Sequence, residues 1–131
     1  MNQANITSIA PWLSVRSSKQ ALAFYKAAFD AIETYRLEDD DGNAVVKLVI
    51  GSAEFWLSDT VTDNDAPEKV GGDTIRIILT VDDPDAVFAK AIDAGATAIF
   101  SVSEEHSWRI GRIVDPFGLH WEIGKQVGIQ Q

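Results

Sequence analysis

Three ionisable side chains in the second half of the chain could do chemistry together. His120 and Glu122 are two residues apart in an alternating segment, so they share one face of a predicted strand. Arg76 stands among three isoleucines, where a charge is costly unless it is paired. Glu122 is the expected partner, a ligand carboxylate or phosphate is the second candidate, and a guanidinium reaching solvent is the third.

Glu122 and His120 are the candidate catalytic residues, as an acid–base pair. His120 could carry a proton near neutral pH, or it could be a hydrogen-bonded wall residue beside Trp121. His106 is predicted to lie in an exposed loop. Trp108, at the end of that loop, is either a lid aromatic or a loop anchor.

Two helices that must position these groups are marked by their caps. Ser17 and Gln20 form a capping box at the start of the first helix. Asp83 followed by Pro84 begins the second, which is predicted to end at Gly95.

The remaining apolar residues alternate with period two, which predicts strands. Turn sequences such as the one at 115–118 separate them. The predicted strands span 6–15, 31–38, 44–50, 53–58, 73–81, 97–103, 109–114 and 119–124.

This order of elements occurs twice. Shifting the sequence by 66 residues places Val15 on Val81, and a slip of one places Lys47 on Arg112 and Trp56 on Trp121. The repeat predicts an α+β fold in which two tandem βαβββ modules form a cupped, barrel-like mixed sheet with the helices outside. Chance similarity between two α+β segments is the alternative. The single domain 1–131 divides into a first module at 6–58, a linker at 59–72, a second module at 73–124 and a C-terminal tail at 125–131.

Strand faces turned away from the helices are predicted to line a shared cleft. The first module offers it an apolar wall that includes Ala10, and the second offers an ionisable wall. The candidate ligand-binding residues are Trp12, Phe55, Leu57, Arg76, Trp108, His120 and Glu122.

Composition excludes several classes of function. The chain has 131 residues, no cysteine and a formal net charge of −9. Thiolate nucleophiles and zinc–sulfur sites are therefore excluded, and the negative charge argues against a nucleic-acid partner. The lack of cysteine suits a reducing cytoplasm, and no apolar stretch is long enough to span a membrane, so we expect a cytoplasmic protein with no membrane partner. Phosphate-loop, serine-hydrolase and zincin motifs are absent from the sequence.

Three segments stand out in addition to the repeated module. They are Ala21-Leu22-Ala23-Phe24-Tyr25, Val81-Asp82-Asp83-Pro84-Asp85-Ala86 and Asp115-Pro116-Phe117-Gly118-Leu119-His120-Trp121-Glu122. Together with the repeat, they resemble the vicinal oxygen chelate superfamily, the group of glyoxalases, bleomycin-resistance proteins and extradiol dioxygenases. The start at Pro11-Trp12-Leu13 and the stretch 108–118 resemble its glyoxalase-like branch often found near phosphonate genes.

The resemblance implies a divalent metal held by four side chains, two from each module. Carried over by position, these ligands fall on Ala10, Leu57, Arg76 and Glu122. Only Glu122 is a ligand type, and a guanidinium cannot coordinate a cation. We therefore predict no metal and no cofactor, with Arg76 standing where the cation would be. Recruitment of His120 as a ligand is the alternative.

Three functions stay open. The first is a small-molecule-binding protein, since the non-enzymatic branch of the superfamily sequesters drugs in a cleft between two subunits. Its ligand would be an aromatic molecule with an anionic group or a cationic drug. The second is a lyase, isomerase or dioxygenase with a non-standard metal site or a metal-free Glu122–His120 pair. The third is a fold kept for association alone. The resemblance also implies a homodimer, with 59–72 as the hinge of any swap.

Overall fold

A computed structural model of the chain describes residues 8–59 and 75–128. Two modules follow one another, each with one helix and four strands. The first contains β1 (Trp12–Val15), α1 (Ser18–Phe29), β2 (Ile32–Glu38), β3 (Ala44–Ile50) and β4 (Ala53–Asp59). The second contains β5 (Ile77–Thr80), α2 (Pro84–Ala94), β6 (Thr97–Glu105), β7 (Trp108–Val114) and β8 (His120–Gln126). The predicted α+β fold with two βαβββ modules is confirmed.

Each module forms its own four-stranded mixed sheet. The strand orders are β1-β4-β3-β2 and β5-β8-β7-β6, with a single parallel pair, β1/β4 or β5/β8, in each. Within the described ranges no ladder of backbone hydrogen bonds joins the two sheets. The cup is thus assembled from two unclosed sheets.

Both predicted helix caps are confirmed. The Ser17 side chain accepts a hydrogen bond from the Gln20 amide at 3.1 Å, and Asp83 accepts one from the Ala86 amide at 3.2 Å. The first helix ends at Asp30 with a positive φ of 57°, and the second ends at Gly95 with a φ of 125°.

Several strand ends differ from the predictions. Strand β1 begins only at Trp12, and Ile9, inside the predicted strand 6–15, is 99% exposed. Ile75, inside the predicted strand 73–81, precedes β5 and is 60% exposed. A strand face is buried only where a neighbouring strand and a helix cover it, and period-two spacing alone cannot show where that cover begins. Residues 6–7 and 73–74 of the predicted strands lie outside the described residues.

Two strands extend into the segments that were predicted to be linker and tail. Strand β4 includes Asp59, and 60–72 of the predicted linker lie outside the described residues. Strand β8 continues to Gln126, into the predicted tail. Trp108 is the first residue of β7, because the hairpin turn consists of His106 and Ser107, both with positive φ.

The core lies between the helices and one face of each sheet, and a buried aromatic cluster joins the two modules there. Tyr25 of α1 packs against Phe55 of β4 and Trp121 of β8, with ring centroids 5.4 Å apart in each case. The carboxylate of Asp115, which is 4% exposed, accepts hydrogen bonds from the Tyr25 hydroxyl at 2.5 Å and from Trp121 Nε1 at 2.9 Å. Burial and this neighbouring carboxylate raise the pKa of Tyr25 well above its usual value, so the phenol stays neutral.

A search of the described residues found no helix that is both long enough and apolar enough to cross a lipid bilayer.

Candidate functional site

Each sheet has one face covered by a helix and one face without such cover, which we call the helix-free face. In β8, Trp121 and Ile123 are buried on the helix side, so His120 and Glu122 lie on the helix-free face, as predicted. In β1, Leu13 is buried and Trp12 is 54% exposed, so Trp12 also lies on the helix-free face.

The predicted orientation of Phe55 and Leu57 is wrong. Both side chains are in the core, with 4% and 0% exposure, and the Phe55 ring contacts Trp121. Trp56, between them, takes the helix-free position and is paired with Trp12 across the parallel β1/β4 ladder.

The error came from the register assumed between the modules. Trp56 of β4 is the strand partner of Trp12, and Glu122 of β8 is the strand partner of Ile78. Strand β4 therefore corresponds to β8 with a shift of 66 residues. Lys47 corresponds to Arg112 with a shift of 65, because the second hairpin loop is one residue longer. The first-module counterpart of Glu122 is therefore Trp56 and not Leu57.

On the helix-free face of the first sheet, four residues that are cross-strand partners on adjacent strands form a row, which we call the aromatic row. The Trp12 and Trp56 rings are stacked at 5.9 Å, and the Tyr35 ring meets the Trp56 edge at 5.8 Å. Lys47 Nζ lies 5.4 Å from the Trp56 ring centroid and forms an ion pair with Glu54 at 3.0 Å. In strand order the row is Trp12, Trp56, Lys47 and Tyr35.

The corresponding level of the second sheet carries different chemistry, and we call it the polar row. In strand order it is Ile78, Glu122, Arg112 and Phe100. The ends are exposed apolar side chains and the centre is ionisable. Cross-strand partners point to the same face, so these four side chains are neighbours on one surface.

Arg76 pairs with Glu122, as predicted. The guanidinium Nε contacts Glu122 Oε2, and the side chains are 40% and 15% exposed respectively. Arg76 lies two residues before Ile78, the strand partner of Glu122, so the Arg76 side chain is on the same helix-free face.

His120 makes a contact that the sequence analysis missed. Its Nδ1 accepts hydrogen bonds from Arg112 Nε at 3.1 Å and Nη2 at 3.0 Å. Because a guanidinium can only donate, Nδ1 must be unprotonated and the ring is neutral with its proton on Nε2. The missed residue, Arg112, could have been found from the repeat, since it aligns with Lys47 on a strand next to Glu122.

The remaining predicted residues are dispersed. Trp108 lies on the same face of β7 as Arg112, four residues away at the far end of the strand. His106 is exposed in its turn, as predicted. Ala10 lines a cavity of about 350 Å³ between the modules, together with Ile78 of the polar row and with Phe55, Ile77 and Trp121.

One chain does not cover its own helix-free faces. Trp12 and Tyr35 of the aromatic row are 54% and 48% exposed, and Ile78 and Phe100 of the polar row are 55% and 43% exposed. The ring contacts that the described residues make between modules lie on the helix side, through Phe24, Tyr25, Phe29, Phe55, Phe117 and Trp121. The cleft predicted between the modules is therefore open in the single chain.

Comparison with known proteins gives a family and a fold. The profile of the glyoxalase-like domain family matches residues 12–123. Mb0911c, an uncharacterised protein of Mycobacterium bovis, is 37% identical over an alignment of 128 residues that covers 92% of this chain and 84% of that protein.

Two solved structures illustrate the likeness. The Arabidopsis thaliana At5g48480 product is 28% identical with a TM-score of 0.69, over 92% of this chain and 100% of that one. The fosfomycin resistance protein FosX of Listeria monocytogenes, in a crystal structure with Mn(II) and sulfate, is 13% identical with a TM-score of 0.72, over 93% of each chain. At that identity FosX shows the fold alone.

Proposed function

We propose a small-molecule-binding function for this chain, which belongs to the glyoxalase-like domain family of the vicinal oxygen chelate superfamily. The bound molecule would contact the aromatic and polar rows. The branch found near phosphonate genes stays a prediction from the sequence.

The Arg76–Glu122 ion pair is the observation that carries this proposal. The positions at which the superfamily holds a divalent metal correspond, with the corrected register, to Ala10, Trp56, Arg76 and Glu122. Alanine and tryptophan offer no ligand atom, and arginine is a fixed cation. Glu122, the one ligand type, already has its charge compensated by Arg76. These four residues therefore do not fit a divalent metal ion.

The two rows suit a planar organic ligand. Stacked or edge-on tryptophan and tyrosine rings provide a large apolar contact area with few rotatable bonds. The polar row provides groups that can fix the orientation of a ligand by hydrogen bonds. Trp12, Trp108, Arg76, His120 and Glu122 thus stay proposed ligand-binding residues, Trp56 is added to them, and Phe55 and Leu57 support the site from the core.

The experiment that tests this proposal measures metal and ligand binding on the same protein. Purified chain is dialysed against Mn(II), Zn(II), Ni(II) and, without oxygen, Fe(II), and the metal content is measured by mass spectrometry. We expect no stoichiometric ion. One ion per chain that is lost in Glu122→Ala would contradict the proposal.

Ligand binding is followed by tryptophan fluorescence during a screen of small aromatic molecules of each charge. We expect a saturable response that is reduced in Trp56→Phe, because Trp56 is at the centre of the aromatic row. Its matched control is Phe29→Leu, a core substitution distant from the row. The absence of a response to every molecule would favour a fold kept only for association.

The enzyme alternative makes a different prediction. Glu122 and His120 share the helix-free face, but each is already held by an arginine, Arg76 or Arg112. Acid–base work would require Glu122 to leave its ion pair. Turnover of a bound molecule that is abolished by Glu122→Gln, with binding unchanged, would establish the enzyme and replace the binding function.

A homodimer belongs to the proposal. The exposed aromatic and polar rows of one copy offer a second copy an apolar surface that the single chain leaves open. Each cleft would then be lined by the aromatic row of one copy and the polar row of the other. A cytoplasmic location stays a prediction from the cysteine-free composition.

A further inference from the structure

We infer that Arg112, positioned by His120, binds an anionic group of the ligand, and that the ligand is an organic oxyanion with an apolar body. The inference rests on the proposed function and assigns a ligand class to the same face.

Among the described residues, no carboxylate compensates the charge of Arg112. In the described ranges 8–59 and 75–128, its guanidinium has two hydrogen bonds, both to the neutral ring of His120, and no carboxylate at ion-pair distance. Arg36 and Arg109, by contrast, each contact two carboxylates. In a chain with 20 acidic and 11 basic residues, a half-buried arginine without an acidic partner requires an explanation.

The corresponding pair of side chains in the first module differs in its acceptor. There, the cation of the row, Lys47, pairs with the carboxylate of Glu54 at 3.0 Å. In the second module, Arg112 takes the place of Lys47 and His120 takes the place of Glu54. The contact is kept, but a neutral acceptor replaces the negative one. The contact between Arg112 and His120 itself therefore leaves the positive charge of the guanidinium in place.

The hydrogen-bonding geometry leaves one edge of Arg112 available. His120 occupies the edge formed by Nε and Nη2. The other edge, formed by Nη1 and Nη2, carries parallel N–H groups that match two oxygens of a carboxylate or phosphate. Because His120 holds the guanidinium by its first edge, the orientation of the second is fixed before the ligand arrives.

The neighbours of Arg112 indicate that the rest of the ligand is apolar. Phe100, directly across from Arg112 on β6, is 43% exposed, and Ile78 at the other end of the polar row is 55% exposed. An apolar or aromatic body beside the anionic group would cover both. Glu122, also next to Arg112, is paired with Arg76 and so repels an anion less than a free carboxylate would.

The experiment measures binding of four probes by calorimetry at fixed ionic strength. They are benzoate, phenyl phosphate, neutral benzyl alcohol and benzylammonium. We expect one or both anions to bind the wild type more tightly than the neutral and cationic probes, and the ratio of benzoate to phenyl phosphate affinity identifies the oxyanion. The Arg112 side-chain N–H signals should shift in the NMR spectrum when the anion is added.

Three variants locate the binding group. Arg112→Gln should weaken anion binding by about 10-fold or more and leave benzyl alcohol unaffected, since a charge-assisted pair is lost. His120→Glu, which restores the first-module arrangement, should weaken it similarly by compensating the charge. His120→Gln, which keeps a neutral acceptor, should stay within about 3-fold of the wild type. Arg109→Gln, at an arginine that is paired with two carboxylates, is the matched control.

The outcomes separate this inference from the proposed function. Anion binding that is unchanged in Arg112→Gln, or neutral and cationic probes that bind as tightly as the anions, would overturn the inference while leaving a binding function intact. Binding of none of the four probes, in a protein that also fails the fluorescence screen, would overturn both.

Discussion

At the scale of single residues, Asp115 is the buried group on which the contact between modules depends. Its Oδ2 accepts hydrogen bonds from the Tyr25 hydroxyl and from Trp121 Nε1. Its Oδ1 accepts hydrogen bonds from the backbone amides of Phe117 at 2.9 Å and Leu119 at 3.0 Å. The charge is therefore buried with several donors around it, which is how a protein tolerates a carboxylate in its core.

Removing the Tyr25 hydroxyl should destabilise the protein. Tyr25→Phe keeps the ring and its packing but leaves one oxygen of the buried carboxylate with a donor fewer. We expect the free energy of unfolding to fall by about 1–3 kcal/mol, measured by urea denaturation. Tyr35→Phe, at the exposed tyrosine, should change it by less than about 0.5 kcal/mol. Equal effects of the two substitutions would show that the Tyr25 hydroxyl contributes nothing.

The sequence predicted some of these residue contacts and not others. A lone arginine among isoleucines required an acid, and Glu122 was the acid at the matching strand position. Arg112 was missed because its neighbours along the chain give no sign of unusual burial. The repeat aligned it with Lys47, but its contacts with His120 and Glu122 are made across strands and are not visible in the sequence.

At the scale of the elements, Asp59 holds together three parts of the first module. At the end of β4, its carboxylate accepts the Ser18 amide and hydroxyl, both at 2.7 Å, and the Ala44 amide at 2.8 Å. It thus joins the start of α1 to the start of β3. Burial acts to raise the pKa of Asp59, but these hydrogen bonds outweigh it, and the pKa is lower than usual.

Acid should therefore weaken the first module through Asp59. Because its pKa is lower in the folded than in the unfolded chain, the carboxylate stabilises the fold above the unfolded pKa of about 4, and this is lost as the pH falls through the folded pKa. Asp59→Asn should cost about 1–3 kcal/mol at neutral pH and should reduce the loss of stability between about pH 5 and pH 2. Urea denaturation at several pH values measures both effects.

The control for this prediction is Asp40→Asn, in the exposed turn between β2 and β3. It should leave both the neutral-pH stability and the acid dependence close to wild type. The prediction fails where Asp59→Asn and the wild type lose stability in parallel as the pH falls.

Elements with local signals were predicted well. The caps at Ser17 and Asp83 depend on a few neighbouring residues, and both are found where the sequence placed them. The start of β1 depends instead on where its ladder with β4 begins, at Trp12 and Trp56, which are far apart in the sequence. A strand end of that kind has no local signal.

At the scale of the whole molecule, the duplication was visible in the sequence, but the way its halves face each other was not. The shift that relates the modules is 65 residues at β3 and 66 at β4, and choosing the wrong one turned Phe55 and Leu57 to the wrong side. A one-residue slip reverses every side chain of a strand. The corrected register made Trp56 the centre of the aromatic row.

The exposed rows lead to a prediction about association. We expect light scattering after size-exclusion chromatography to give twice the mass of one chain at tens of micromolar protein. Ile78→Lys should shift the protein toward the monomer, because it places a charge in the surface that a second copy would cover. Val127→Lys, at an exposed apolar residue outside the rows, should leave the mass unchanged. A monomeric wild type would contradict this prediction.

The hydrogen bond from Tyr25 to Asp115 has a consequence for cutting the chain into its two modules. Cut between its repeats, the protein would yield one piece with a phenol lacking its acceptor and another with an anion that has lost a donor and much of its aromatic cover. Each half contains its own four-stranded sheet, but each depends on the other for part of this buried contact. The pieces should regain order only when mixed.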